Sequence, residues 1–252
     1  MTATSAFVFP RDRLFARLDG ALRAPLALVV ASEGSGKSTA VREYLATRAI
    51  SSVWVDVGAA AGDPAAFVYA LAAAFGDRVP AMRSSAASAT QRLAGVEGHT
   101  AVVDWVREHL GTLEMTIVLD NIHALDDSPA LVPLVRDLIE ATLAHLRWIL
   151  IGSSAAALPV AGWLANRLSE LPIQDDDLQV DLDELRASLD GTGIELAQPA
   201  LAKLLETTGG RPLGLAVALT NRRFDEKLST DQLYDELVDV ALERFEGAER
   251  GS

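Results

Sequence analysis

Leu26-Ala-Leu-Val-Val-Ala-Ser-Glu-Gly-Ser-Gly-Lys-Ser-Thr39 is the stretch whose reading decides the fold. Its first half is a short apolar run rich in β-branched side chains, the pattern of a strand buried on both faces. The run gives way to Ser32-Glu33-Gly34-Ser35-Gly36, and a helical pattern begins at Lys37. Strand, glycine-rich loop and helix, in that order, form the context that a phosphate-binding loop requires. Ala31, four intervening residues and Gly36-Lys37-Ser38 match the loop's spacing in the form that admits Ala at its first position. Gly34 and Gly36 let the backbone curl so that successive N–H groups converge on one anion. The positive end of the following helix adds to that attraction. Glu33, Gly34, Ser35, Gly36, Lys37, Ser38 and Thr39 are therefore the candidate nucleotide contacts. Lys37 can reach the β- and γ-phosphates, and the Ser38 hydroxyl can ligate Mg²⁺.

Composition narrows what such a loop can serve. A chain of 252 residues holds one large domain or two small ones. No run of roughly 20 uncharged apolar residues occurs, so no bilayer span is expected. Residues 1–10 lack the basic and apolar regions of a secretory signal. The absence of Cys excludes disulfides and thiolate metal sites and fits a cytoplasmic setting. Net charge is −13, and the basic residues are scattered rather than clustered. Such a chain repels polyanions, so direct binding of nucleic acid is not expected of it. Lysine is scarce, only Lys37, Lys203 and Lys227, and one of the three falls in the loop.

Outward from the loop, strands and helices alternate. A lead-in at 11–22 carries Leu14, Leu18 and Leu22 at helical spacing, and residues 38–49 continue the helix that the loop opens. Val53, Val55 and Val57 alternate with Trp54 and Asp56 as a second strand. Asp63-Pro64 then starts a helix bearing Phe67, Leu71 and Phe75. Residues 76–98 read as loops and a weak helix, and 100–110 as a helix. Met115-Thr-Ile-Val-Leu-Asp-Asn121 is a buried strand ending in an acid. Residues 129–145 form an amphipathic helix, Arg147-Trp-Ile-Leu-Ile-Gly152 another strand, and Leu171-Pro-Ile173 the candidate for a short last one. From Asp181 onward the pattern is helical only. Asp181 with Glu184 makes a capping box, segments 199–207 and 213–220 follow, and Ser229 with Gln232 caps a final helix over 230–245. The expected fold is thus α/β, a parallel sheet sandwiched by helices over residues 1–174, followed by a small all-helical domain over 175–252.

Asp120 closes an apolar strand, where a phosphate-loop protein holds its Mg²⁺ through a water. In parallel sheets the functional edge lies at the carboxyl ends of the strands, and Ala31 and Asp120 are both placed there. Neither a solvated strand-end acid nor a chance loop match accounts for the two together.

At this point the chain resembles the maltose-regulator (MalT-like) group of ATPases, within the signal-transducing STAND class of phosphate-loop NTPases. The matching residues are Pro10-Arg11 with Leu14, the loop at 31–39, Trp54-Val-Asp56 and Gly62-Asp-Pro64. Further on are Ile117-Val-Leu-Asp-Asn-Ile-His123, Leu158-Pro159, Asp177-Leu178 and Thr208-Gly-Gly-Arg-Pro-Leu-Gly-Leu215. The resemblance implies a nucleotide-binding domain with a helical lid, and a switch between an ADP-bound resting state and an ATP-bound, self-associating one. It implies that Pro212 faces the adenine from the lid and that Arg11 borders the base on the other side. Locally, Gly209-Gly210 also reads as a helix end and Pro212 as the start of the next helix. His123 reads as a satisfied side chain in a turn.

Three departures from that family stand out. An acid usually follows the strand-end Asp, where it positions or activates water, and here Asn121 stands in its place. Gly152-Ser153-Ser154 occupies the place of an Arg that senses the γ-phosphate. Residue 252 falls where relatives continue into a winged helix, a helical-repeat sensor and often a LuxR-type DNA-binding domain. The chain is therefore expected to be either a piece of a longer regulator or a reduced relative. The leading expectation is an ATP/ADP- and Mg²⁺-binding switch module of a transcriptional regulator. It would hydrolyse slowly or not at all, with Lys37, Asp120 and Asn121 as its catalytic candidates and with partner effector and sensor domains. Its expected weakness as an ATPase rests on Asn121, and exchanging Asn121 for Asp or Glu is expected to raise turnover. A turnover enzyme such as a small-molecule kinase, or a scaffold that keeps only the fold, remain the alternatives.

Overall fold

The apolar runs become four parallel strands, β1 (Leu26–Val30), β2 (Ser52–Asp56), β3 (Thr116–Asp120) and β4 (Arg147–Gly152), in the spatial order β1-β4-β3-β2. This computed structural model describes residues 9–221 except 61, 94–97, 112, 191, 193 and 195. The strands differ as their positions require. β1, β3 and β4 are buried along nearly their whole length, and their sequences are accordingly almost unbroken Val, Ile and Leu. β2 lies at the edge and alternates, with Val53 and Val55 buried, Trp54 half-buried and Asp56 exposed. The Arg42 guanidinium covers the Trp54 ring at 3.7 Å from its centroid, which shields an apolar edge with a charge. Beyond β1 the segment at Leu171-Pro-Ile173 runs parallel to it. Ser169 and Ile173 bridge Leu26 and Val29, with Ile173 N–H donating to Leu28 and Val30 N–H to Ile173.

The helices arise where the sequence changes period. α1 (Asp12–Ala21) precedes β1, and α2 (Lys37–Thr47) starts directly at the loop's lysine. The outer side of α2 is pinned to α1 by Asp19, which accepts from Tyr44 Oη at 2.8 Å and Arg48 Nη2 at 2.6 Å. Burial, with help from the Asp19 bond, pushes the Tyr44 phenol up to about 12. α3 (Pro64–Phe75) opens as the Asp63-Pro64 pair dictates. The Asp63 carboxylate accepts from Ala65 N–H, and Pro64 occupies a position whose N–H needs no partner.

Within the stretch expected to hold loops and a weak helix, 76–98, the described residues 76–93 are more ordered than their composition suggests. α4 (Pro80–Leu93) occupies most of it, buries Met82, Ala86 and Ala89, and places Ser85 Oγ to accept from the indole of Trp105 at 2.8 Å. Trp105 belongs to α5 (Gly98–Leu110). Small side chains let α4 lie close to its neighbours, so packing rather than propensity holds it. α6 (Val132–Thr142) is shorter at both ends than the expected 129–145. A short α7 (Val160–Ala165) follows β4, and then the one-turn α8 (Asp175–Leu178). Three fully buried tryptophans anchor the core of the sheet region, and each satisfies its indole N–H: Trp105 on Ser85, Trp148 on Thr142 and Trp163 on Glu140.

The chain divides into two compact units. One comprises Phe15–Glu33 and Lys37–Asp177, and the other the described residues of Met1–Leu14, Gly34–Gly36 and Leu178–Ser252. The second contains α9 (Leu182–Leu189), α10 (Gln198–Thr208) and α11 (Pro212–Asn221). Its core is Phe9, Val180, Leu185, Leu201, Leu204, Leu215 and Leu219. The Asp181–Glu184 capping box forms as the sequence reads. Gly209 ends α10 in the left-handed conformation, where L side chains are strained. The helix expected over 230–245 and its Ser229–Gln232 cap lie outside the described residues.

The sheet's packing makes one position unusually intolerant. A Cβ on Gly152 would sit 2.7 Å from Ile122 Cγ1, 3.0 Å from the His123 amide nitrogen and 3.1 Å from the Ser154 carbonyl. Backbone on two sides cannot give way cheaply. We expect Gly152→Ala to lower the unfolding free energy by about 1–3 kcal/mol, read from the urea midpoint at unchanged m-value. A variant as stable as the parent would show that the turn after β4 relaxes freely.

Candidate functional site

The sheet is parallel, so all its strands deliver their last residues to one edge, and the candidate residues collect there. At the end of β1 the chain enters the loop, with Gly34 at φ 73° and Gly36 at φ 82°. Those left-handed angles are why glycine stands at both positions. Lys37 closes the loop on itself, its Nζ donating to the carbonyls of Ala31 at 2.9 Å and Ser32 at 2.7 Å. Desolvation pulls the Lys37 ammonium below its ordinary value, opposed by the negative charges of Asp175, Asp120 and Glu33. The residue is thus a half-sheltered cation among acids.

One residue on, Ser38 Oγ donates to Asp120 Oδ1 at 3.0 Å. Eighty-two positions of sequence separate the pair. Two hard oxygen ligands on adjacent elements suit Mg²⁺, which keeps waters and takes its other ligands from phosphate oxygens. Among the described residues no group of three or more His, Asp or Glu side chains could hold a metal unaided. The residues present therefore fit a metal that arrives with a nucleotide, held by Ser38 and Asp120.

Asn121 follows in the left-handed conformation, φ 58° and ψ 38°, one of few places where a residue other than glycine takes it. Its side-chain amide donates to Asp56 Oδ1 at 2.9 Å, and the same oxygen accepts from Gly58 N–H at 2.9 Å. Asp56 is the register partner of Asp120 across β2 and β3. The amide of Asn121 is therefore engaged by a neighbouring carboxylate, which the sequence alone does not show. His123, expected to be a satisfied turn residue, lies in the 3-10 turn Ile122–Leu125 with its buried Nδ1 lacking a hydrogen-bond partner among the described residues.

The remaining candidates differ in kind. Glu33 and Thr39 are exposed on the loop and the first turn of α2. Ser35 is buried, and its Oγ has no partner among the described residues. Pro212 reaches the loop: its Cγ lies 3.8 Å from where a Cβ on Gly36 would be, both residues belonging to the same compact unit. Arg11 is 7% exposed, donates from Nη2 to the Leu178 carbonyl at 2.6 Å, and faces the buried Glu184 at 3.9 Å. Burial raises the Glu184 carboxyl above its usual range, with the Arg11 charge opposing. Arg11 thus ties the lead-in to its own helical unit.

One residue escaped the sequence reading. Asp175 accepts from Ser32 N–H at 3.0 and 3.1 Å and from Ser32 Oγ at 2.6 Å. The signal was slight: Leu171-Pro-Ile173 is a short apolar run, and Asp175 follows two residues after it. That run reads as a candidate strand, but nothing in its spacing shows that the chain beyond it brings Asp175 to the loop.

A β1-β4-β3-β2 parallel sheet with this loop after its first strand and an acid ending β3 defines a P-loop ATPase domain. Residues 21–157, more than half of the chain, match the AAA domain family AAA_22, and the chain belongs to that family. Its fold is similar to that of the Walker-type ATPase PABY2304 of Pyrococcus abyssi, at TM-score 0.58 and 18% identity over 97% of this chain and 77% of that one. It is also similar to the Orc1 protein of Aeropyrum pernix, solved in complex with DNA, at TM-score 0.52 and 18% identity over 94% and 67%. No curated protein matches the chain. Among the described residues no helix is long and apolar enough to cross a membrane.

The Asn121–Asp56 bond generates a test. Asn121→Asp sets two carboxylates against each other and loses the donated hydrogen bond. We expect a lower melting temperature, with a deficit that narrows as salt is raised from 50 mM to 500 mM. An Asn121→Asp variant matching the parent at low salt would show that the amide contributes nothing.

Proposed function

We propose that this chain is a nucleotide-binding switch module: it holds ADP or ATP with Mg²⁺ on the loop 31–38, hydrolyses slowly, and passes its state to attached or partner domains. The observation that carries the reading is the Ser38–Asp120 contact at 3.0 Å, beside an ammonium that lies among three acids. These are the two ligands and the point charge that a magnesium nucleotide needs. In this reading the backbone N–H groups of the loop and of the first turn of α2 orient the phosphates, and Lys37 neutralises their β/γ charge. Ser38 and Asp120 would hold the metal. The metal would supply neutralisation of the phosphate charge. Pro212 would border the base, which its position near Gly36 supports. Arg11 would act indirectly, by fixing the lead-in, rather than by touching the base.

The switch itself, its signal-transducing MalT-like type, a role in transcription and a self-associating ATP state are inferences from the sequence resemblance, and a cytoplasmic location is one from the lack of Cys and of a secretory signal. Two features favour slow turnover. Residue 121 is an amide that cannot accept a proton and is already engaged with Asp56, and Ser153 and Ser154 stand where a γ-phosphate-sensing Arg would be. General-base help is typically worth about 10²–10⁴ in rate, so turnover below about 1 s⁻¹ is expected, under the ordinary enzyme range.

The test is calorimetric titration of ADP and ATP, with and without Mg²⁺, into the parent and Lys37→Ala. Binding by the parent should be lost in the variant, because no other charge among the loop's residues can replace the ammonium. Steady-state phosphate release by the parent should be barely above background. Equal affinity of parent and Lys37→Ala for ADP would overturn the assignment of the loop.

A further inference from the structure

We propose that Asp175 is a positioning residue for phosphate binding, which acts by clamping Ser32, the second residue of the loop. The proposal rests on the nucleotide-binding reading above. Ser32 is held from two sides. Both carboxylate oxygens of Asp175 receive its N–H, and Oδ1 also receives its hydroxyl. Lys37 Nζ donates to its carbonyl and to that of Ala31. Both peptide planes of Ser32 are therefore fixed before the chain reaches Gly34 and Gly36, where the backbone has the most freedom to lose. A loop whose entry is held in this way loses less entropy when its N–H groups converge on phosphate, and preorganisation of that kind tightens binding.

The path that brings Asp175 there is itself specified. Ile173 is fully buried and pairs with β1 through Leu28 and Val30. Two residues of chain then carry Asp175 to the first residues past the strand's end. Gln174 N–H donates to Asp177, which fixes the start of the turn that carries Asp175. The acid is delivered by backbone pairing on one side and by a short helical turn on the other.

The clamp has an opposing effect. A carboxylate near Lys37 disfavours a polyphosphate by repulsion, so removing Asp175 must both loosen the loop and relieve that repulsion. Charge-assisted hydrogen bonds are the strong ones, and Ser32 makes them with both of its donors. The repulsion acts at a partly exposed site and is screened by salt. The clamp should therefore win.

Variants of the full chain separate the two effects. Asp175→Ala removes clamp and charge, whereas Asp175→Asn removes the charge and keeps an acceptor for Ser32. For Asp175→Ala we expect ADP affinity about tenfold weaker, with loop amides 32–38 exchanging faster in the absence of nucleotide and little change in melting temperature. Asp175→Asn should recover most of the affinity. In a double-mutant cycle, Ser32→Ala and Asp175→Ala should be partly non-additive, since both remove the bond from Ser32 Oγ while only Asp175→Ala removes those from Ser32 N–H. Affinity that is unchanged or tighter in Asp175→Ala, or effects that simply add, would overturn the clamp. If the parent itself binds no nucleotide, the functional reading fails instead. The exchange measurement then decides the clamp alone: unchanged loop protection in Asp175→Ala overturns it, and faster exchange supports it.

Discussion

The parallel order β1-β4-β3-β2 is the constraint on which the rest depends. A parallel sheet sends every strand in the same direction, so whatever follows β1 and whatever ends β3 must meet at one edge. β4 separates these two strands, and the pairing of Ile117 with Trp148 and of Leu26 with Trp148 fixes how far each extends. A slip of one residue in either pairing would turn the buried side chains of those strands to the opposite face. Register is thus protected by the core, and apolar packing brings Ser38 and Asp120 close enough for their 3.0 Å hydrogen bond. The long apolar runs serve the site in that sense. Their burial holds two polar residues together across eighty-two positions of chain.

Against this frame the loop carries electrostatic tension. Lys37 is partly desolvated, and its ammonium is pulled below the ordinary value. A group depressed in the folded chain binds fewer protons there than in the unfolded chain. Between the folded and ordinary values stability therefore rises with pH, and at lower pH the charged lysine detracts from it. Asp175, Asp120 and Glu33 offset part of that cost. An anion with several negative charges would offset it further, which is how a destabilised cation becomes a binding determinant. The net charge of −13 sharpens the contrast, because a chain so acidic must concentrate its attraction for phosphate in one place.

Legibility in the sequence followed the range of the interactions. The sheet strands were readable because a buried strand needs only its own side chains to show its character, and 26–39 carried loop and helix start together. Local caps were readable for the same reason: Asp63, Asp181 and Glu184 act within three residues of themselves. α4 was not, since its Ala- and Ser-rich sequence acquires order only from contact with α3 and α5, of which Trp105 supplies the most specific part. Within the site, the loop, Ser38 and Asp120 were legible from strand-end position. The bonds of Asp175 to Ser32 and of Asn121 to Asp56 join residues 143 and 65 positions apart, and no periodicity encodes them. Arg11 illustrates the opposite limit. The family resemblance implied a base contact for it, and its burial against Leu178 and Glu184 also gives it partners inside its own unit.

Asn121 shows how backbone conformation can determine chemistry. Its φ of 58° costs an ordinary side chain roughly 1–2 kcal/mol, and Asn and Gly bear that conformation best. At residue 121 Asp would tolerate the conformation but meet the facing carboxylate of Asp56, and Glu would lose on both counts, whereas an amide gains a hydrogen bond to that same carboxylate. The sequence suggested that restoring an acid at 121 would restore turnover. The geometry ties that exchange to position 56, because Asp56 must first lose its charge or swing away before a second carboxylate can occupy the place of the amide. Asp56 is not free to swing at no cost, since Gly58 N–H holds the same oxygen. The pair at 56 and 121 therefore behaves as one unit, an amide and an acid sharing a hydrogen bond beside the strand-end Asp120. An exchange of the two residues, acid at 121 and amide at 56, preserves the net charge and allows the bond in the reverse direction, where Asn121→Asp alone changes the charge and breaks the bond.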